Sequence, residues 1–414
     1  METKQIIVNG GGIGGLTLAL DLHRLGIECH VYEAVGEIKP LGVGISILPH
    51  ASKILSDLDI VDALLERCLI AAESVFYNRF GQFVYSEPIG AADGVAWPQL
   101  SIHRADIYDV LYEKAIERLG QDHIHLGHRL TRFEQDDHGV TAFYDVTDDA
   151  GSVNPTEIRG SIMIGADGIH SVVRKQLNPD EGAPLYQGYN MFRGITYAKP
   201  YLSGSSMLRI GWYTSGKLTI YPCRQANSEG LQAMNWIAAV ESDKHLERDW
   251  GRAGKLEDFI DVFADWKFDF LDVPKIFEDA DTLLEYPMVD QEPLDRWTDG
   301  RVTLLGDAAH PMVPRGSNGA GQAIVDCRKL AETLASTPDW VEALNIYEAD
   351  RRPKTTAVVF KNRANPPDAV LREVVLRSHD QPFARLEDVI TKAELDALTN
   401  SYKETAGYSR QILM

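Results

Sequence analysis

A chain of 414 residues exceeds what one hydrophobic core sustains, so two packed domains are expected. Its 44% hydrophobic and 25% charged content sits near the globular average, which excludes disordered and collagen-like readings. A formal net charge of -20 repels phosphate backbones and anionic lipid, so nucleic-acid and membrane-surface binding are excluded, and an anionic substrate would need local Arg or Lys groups.

In chain order, residues 5–8 form an apolar run of buried-strand type, 13–25 carry helical apolar periodicity, and 28–32 read as a second strand. Short helices are predicted over 51–57 and 61–68, a hairpin over 73–86, an amphipathic helix over 105–119, and strands over 140–146 and 157–164. Longer β-type segments at 191–197, 207–213, 218–221 and 234–240 predict an antiparallel sheet. A helix over 256–266, a strand over 282–286 and a short buried strand over 302–305 follow. Helices continue to the end, interrupted at Asn365-Pro366-Pro367, and the acidic stretch 386–398 reads as a helical cap or subunit contact. Cys29, Cys68, Cys223 and Cys327 lie far apart without metal-ligand spacing, so reduced thiols and no metal are expected. No secretory signal and no apolar run of bilayer-spanning length is found, which favours the cytoplasm.

Three glycine-bearing turns carry the chemistry. Gly10-Gly11-Gly12-Ile13-Gly14-Gly15 satisfies GxGxxG between a predicted strand and a predicted helix. Gly10 suits the tight turn, Gly12 lets the backbone approach a pyrophosphate at the helix N-terminus, and Gly15 permits close packing. Glu33 closes the second strand at the spacing of an acid that binds an adenosine ribose. The second turn, Gly165-Ala166-Asp167-Gly168, reads equally as a helix cap. The third, Gly306-Asp307-Ala308-Ala309-His310-Pro311, precedes the loop Pro314-Arg315-Gly316-Ser317-Asn318-Gly319-Ala320-Gly321. Asp307 at a strand end suits a hydrogen bond to a ribityl hydroxyl, and His310 reads as a group that fixes its loop rather than a general base.

This ordered set resembles the single-component flavoprotein aromatic hydroxylases of the para-hydroxybenzoate hydroxylase class, over about residues 5–360. Stretches 37–45, 101–104, 285–290 and 319–322 are similar to its phenazine-modifying subgroup. The resemblance implies an α/β fold: a Rossmann-like FAD-binding domain (1–75, 98–180 and 286–365), an inserted, mostly antiparallel β-sheet substrate domain (76–97 and 181–285), and C-terminal helices (366–414). It implies non-covalent FAD at Gly10, Gly12, Ile13, Gly14, Gly15, Glu33, Val43, Gly44, Arg104, Asp167, Asp307, Gly316, Gly319 and Ala320. NADH or NADPH would dock transiently, since no second GxGxxG unit is present. Dioxygen would react at the flavin edge beside Pro311, and the resulting C4a-hydroperoxide would hydroxylate a small aromatic or heteroaromatic substrate, with decarboxylation where attack falls on a carboxylated carbon.

Catalytic or pocket candidates are Pro311, Arg315, Tyr213, Trp212 and Tyr286, joined by Tyr221, Pro287, Met312 and Val313, although aromatic strand residues are core by default. Arg315, between Pro314 and Gly316, is the candidate carboxylate clamp; Arg193 and Arg209 read by default as solvated surface charges. Two departures put the substrate in doubt: the loop 316–321 lacks the GQG sequence of many relatives, and 41–44 lacks an arginine. Epoxidation or Baeyer-Villiger insertion is the alternative chemistry, and a flavin reductase without oxygen insertion has no supporting motif. A monomer or homodimer is expected.

Overall fold

The computed structural model describes residues 5–37, 42–148, 151–243 and 251–414; part of the stretch 37–45 therefore lies outside the described residues. The first sheet has five strands, all parallel, in the order Val302–Leu304, Ile162–Gly165, Ile6–Asn9, Cys29–Tyr32, Ile124–His125. Ile6, Ile7 and Val8 are fully buried, which is why this strand reads as an unbroken apolar run: the helix Ile13–Arg24 packs on the Val8 face, and a three-stranded antiparallel sheet, His128–Asp136, Gly139–Thr147 and Val153–Gly160, packs on the Ile7 face. In such sheets ligands bind beyond the carboxyl ends of the strands. The three glycine-bearing turns leave the carboxyl ends of three adjacent strands, Ile6–Asn9, Ile162–Gly165 and Val302–Leu304, and this places them together.

The second large sheet has seven strands, in the order Thr282–Asp290, Leu185–Ala198, Gln232–Glu241, Lys217–Pro222, Ser206–Gly211, Glu73–Tyr77, Phe83–Pro88. Every neighbouring pair is antiparallel except Ser206–Gly211 with Glu73–Tyr77, which is parallel. Side chains alternate strictly across it. Phe192, Leu208, Ile210, Leu218, Ile220 and Trp236 point into a core filled by Phe259, Phe263 and Phe277, with Phe192 stacked on Phe259 at 4.3 Å. Their neighbours Met191, Arg193, Arg209, Lys217, Thr219, Tyr221 and Ile237 face cavities on the opposite side. The expected boundaries at 76 and 286 fall inside the strands Glu73–Tyr77 and Thr282–Asp290.

Four predicted elements need correction. Residues 256–266 form two short 3-10 turns, Leu256–Asp258 and Ile260–Phe263, parted at Phe259, whose φ of -145° leaves the helical region as its ring enters the aromatic core. The helix predicted over 61–68 stops at Leu65, and Leu69–Ala71 is a strand. The strand predicted over 207–213 ends at Gly211, whose φ of +69° turns the chain into the 3-10 turn Tyr213–Ser215. The stretch 386–398 is split: after the turn Leu386–Asp388, Thr391 and Glu394 form a reciprocal capping box that starts the helix Lys392–Ala406.

The C-terminal helices Ala369–Ser378 and Lys392–Ala406 lie on the sheet edge, where Val370, Leu371, Val374 and Leu395 pack against Phe76, Val84 and Tyr85. Arg79 grips Asp380 through its Nε at 3.0 Å, and Lys403 pairs with Glu87 at 3.1 Å. Among the described residues no helix is long and apolar enough to cross a membrane.

Candidate active site

A cavity of about 250 Å³ opens where the two sheets meet. Gly12, Ile13 and Gly14 line it from the first turn, Ala166 and Gly168 from the second, and Gly306, Asp307 and Pro311 from the third. Contacts between the turns are tight. A Cβ on Gly10, whose φ is +110°, would lie 2.4 Å from the Ala166 carbonyl oxygen, and one on Gly15 would lie 1.9 Å from the Gly10 oxygen. A Cβ on Gly12 would meet nothing within 4 Å, so the backbone there faces open space.

The site suits an extended anionic nucleotide. The helix Ile13–Arg24 begins at Gly12 with no side-chain cap and no acid in its first turn, so its free N–H groups and partial positive charge face the cavity. The 18-residue helix Gly319–Ser336 is likewise uncapped and without a first-turn acid, and its Gly319 and Ala320 line the same space. Ser317, just before it, holds a φ of +53°, a left-handed conformation unusual for serine. Asp307 is exposed to the cavity and its carboxylate has no hydrogen-bond partner among the described residues. Arg104 starts the helix Arg104–Leu119, donates its backbone N–H to the Val43 carbonyl at 3.0 Å, and presents its side chain at the cavity. Gly44 also lines it: its N–H donates to Asn235 Oδ1 at 2.7 Å, and a Cβ would lie 2.5 Å from Asn235 Cβ, so this loop is pinned to the second sheet.

Several expected residues lie outside the cavity wall. Asp167 caps a helix: its carboxylate accepts from Ser171 Oγ and from the N–H groups of Val172 at 2.9 Å and Val173 at 3.3 Å. Burial raises its pKa, against those hydrogen bonds. Glu33 accepts from Gly11 N–H at 2.7 Å and Val35 N–H at 2.9 Å, which holds it at the end of its strand beside the first turn. Val43 is core, packed with Ile195, Met207 and Tyr221. Gly316 faces away from the cavity, because a Cβ there would lie 1.5 Å from the Tyr402 hydroxyl. Trp212 packs edge-on to Tyr213 and lines no cavity wall.

Toward the second sheet the wall is Arg193, Tyr221, Ile237, Tyr286 and Met312. Burial pushes the Arg193 guanidinium down to about 10, against the nearby Tyr221 and Tyr286. A recess of about 30 Å³ adjoins this region, sharing Ile237, Pro314 and Ser317, and contains Arg209, Tyr213, Lys217 and Arg315. Arg209 and Lys217 are each only 6% exposed, so the surface reading of Arg209 is overturned, and half-buried Arg193 lines the cavity wall. Both sit on the inward half of an alternating strand, a signal the sequence carried and the default rule for charged residues overrode.

His310 anchors the third turn, as expected. Its Nε2 meets Asp326 Oδ2 at 2.6 Å, the Gly306 N–H donates to the same oxygen, and Arg351 Nε donates to Oδ1 at 2.7 Å. Burial raises the Asp326 carboxyl, but His310 and Arg351 together hold it below its ordinary value. The network continues from Arg351 Nη2 to Gln322 Oε1 and from Gln322 Nε2 to the Ala406 carbonyl, so the C-terminal helix braces the loop. Among the described residues one trio, Glu28, His30 and His123, could hold a metal ion; it lines neither cavity, and sequence spacing did not reveal it.

The family described as FAD binding domain matches residues 2–249 and 270–362. The phenazine 1,6-dicarboxylic acid hydroxylase of Lysobacter antibioticus is 40% identical over 404 residues, covering 96% of each chain. A 3-amino-4-hydroxybenzoate 2-monooxygenase of Streptomyces platensis is 32% identical over 397 residues, 93% of this chain and 94% of that one. The structure of Klebsiella pneumoniae HpxO complexed with FAD and uric acid superposes with a TM-score of 0.75 at 26% identity, covering 100% of this chain and 97% of that one.

Proposed function

Because the chain belongs to the FAD-binding-domain family and is an FAD-dependent monooxygenase that draws on NAD(P)H, we propose that its substrate is a small aromatic or heteroaromatic ring, which it hydroxylates. The observation that carries this reading is the meeting of a nucleotide-suited cleft with an apolar and aromatic wall at the edge marked by Pro311. FAD, when bound, supplies the reduced ring that activates dioxygen and passes one oxygen atom to the substrate.

The protein's part is positioning. The N–H groups of Ile13 and Gly14 would hold the pyrophosphate, with Gly12 leaving room for it. Asp307 would accept from a ribityl hydroxyl and Arg104 would neutralise phosphate charge. Gly319 and Ala320, at an uncapped helix start, would donate to the carbonyl side of the ring, where negative charge gathers on reduction. Tyr221, Ile237, Tyr286 and Met312 would hold the substrate ring and keep water from the reacting edge. This geometry asks for no strong side-chain acid, and His310, the imidazole of the third turn, is committed to Asp326. The net charge and the lack of a membrane-spanning helix among the described residues support a cytoplasmic setting.

The test supplies FAD-loaded protein with NADH or NADPH and a panel of phenols, aromatic acids and fused heteroaromatics. Accelerated flavin reduction and a product heavier by one oxygen atom are expected. Oxygen uptake ending wholly in hydrogen peroxide with every ring compound sinks the hydroxylation reading.

A further inference from the structure

The recess beside the ring-binding wall gathers three cations, Arg209, Lys217 and Arg315, and among the described residues no carboxylate lines it. Among the described residues the hydrogen-bond partners of Arg209 are neutral, Ser74 Oγ at 2.5 Å and the Met207 sulfur at 3.0 Å. Arg315 lies over the Tyr213 ring at 4.6 Å and donates through Nη1 to the Arg363 carbonyl at 3.3 Å, while its buried Nε has no acceptor. Lys217 donates to the Tyr213 hydroxyl at 3.0 Å and pairs with Asp368. Asp368 is fully buried, finds no other donor, and comes from outside the sheet: it sits just before the helix Ala369–Ser378, at the start of the C-terminal segment. That segment lies beyond residue 362, where the family match ends.

Three clustered cations in a buried recess repel one another and call for anions. One anion is built in. We propose that Asp368 is a specificity-determining residue: by neutralising Lys217 it sets how strongly the recess draws a single substrate carboxylate, which Arg315 and Arg209 receive while the ring lies against Tyr221 and Tyr286. This rests on the hydroxylase reading of the larger cavity. The recess, at about 30 Å³, has room for one such group and little more, since a single water needs roughly 10–15 Å³. With Asp368 made neutral, Lys217 adds an uncompensated charge beside the one carboxylate that the recess can hold. The C-terminal segment thereby acts on substrate choice by supplying a charge.

The experiment measures calorimetric affinities of FAD-loaded wild type, Asp368→Asn and the double variant Lys217→Met/Asp368→Asn for phenazine-1-carboxylate, phenazine-1,6-dicarboxylate and uncharged phenazine. Wild type is expected to prefer the monoacid to uncharged phenazine. Asp368→Asn should raise the monoacid-to-uncharged affinity ratio on the order of tenfold, about 1.4 kcal/mol, with the diacid bound no better than the monoacid, and the double variant should return the ratio to the wild-type value. The double variant also guards against a folding artefact, because it removes the unpaired buried cation that Asp368→Asn leaves. An unchanged ratio in Asp368→Asn, or a gain that persists in the double variant, overturns the proposal. Equal wild-type affinity for acid and uncharged ring also overturns it; should hydroxylated product still form in that case, the broader hydroxylase reading stands.

Discussion

Two glycines, three and six positions beyond the end of the first strand, offer a clean separation of folding from cofactor binding. Gly12 has φ -72° and an extended ψ, both open to alanine, and a methyl there meets no protein atom within 4 Å. Gly12→Ala should therefore cost the apoprotein no more than about 1 kcal/mol, the difference between glycine and alanine at a helix N-cap. A methyl on Gly15 would lie 1.9 Å from the Gly10 oxygen, a backbone atom that cannot step aside. Gly15→Ala should cost about 3 kcal/mol or more through overpacking. FAD acts in the opposite order. At one hundred times its Kd a ligand stabilises the folded state by about 2.7 kcal/mol. In Gly12→Ala that gain should vanish, because the methyl takes up the space reserved for the pyrophosphate, although the apoprotein unfolds almost as wild type does. Urea denaturation of each protein with and without FAD measures both quantities. Retention of the full FAD-dependent gain by Gly12→Ala would refute the assignment of that open space to phosphate.

Asp307→Ala should weaken FAD retention through desalting without altering the apoprotein's unfolding midpoint, since the carboxylate has no partner to lose among the described residues; unchanged flavin content removes Asp307 from the site. Asp326→Asn leaves buried Arg351 without its carboxylate and should cost about 3–5 kcal/mol in chemical denaturation; a loss below 1 kcal/mol would show that Gln322 alone satisfies Arg351. Burial, and then the Arg351 charge, hold His50 down at about 3. Its folded value lies below its unfolded value near 6.5, so its contribution is complete above that pH and is lost as pH falls toward 3, by about 1.4 kcal/mol per unit. His50→Gln should flatten this part of the pH dependence between pH 4 and 6, and an identical slope in both proteins rules His50 out as its source.

The parallel core and the meeting of three turns were legible because each turn follows a short apolar strand, and the fully buried run Ile6, Ile7, Val8 announces a sheet covered on both faces. The alternating sheet was legible too, but the charges of Arg209 and Lys217 point to the surface while period two places them inward, on one face with Met207 and Tyr221. The resting place of Gly316 could not be read locally, since Tyr402, which forbids a side chain there, is 86 positions away and reaches it only through the C-terminal fold. Asp167 shows a different limit. A strand-end aspartate followed by Gly168 and Ser171 is compatible with both a ligand and a cap, and the spacing to Val172 and Val173 decides for the cap.

The parallel pairing of Ser206–Gly211 with Glu73–Tyr77 has a consequence for synthesis. The seven-stranded sheet draws its edge from the first quarter of the chain and its opposite end from Thr282–Asp290, while the five-stranded sheet waits for Val302–Leu304. Neither unit can close before about three quarters of the polypeptide has left the ribosome, and the two must then complete almost together. Inserting a linker or cutting the chain between them would yield fragments with open strand edges, which invite aggregation, instead of two separable halves.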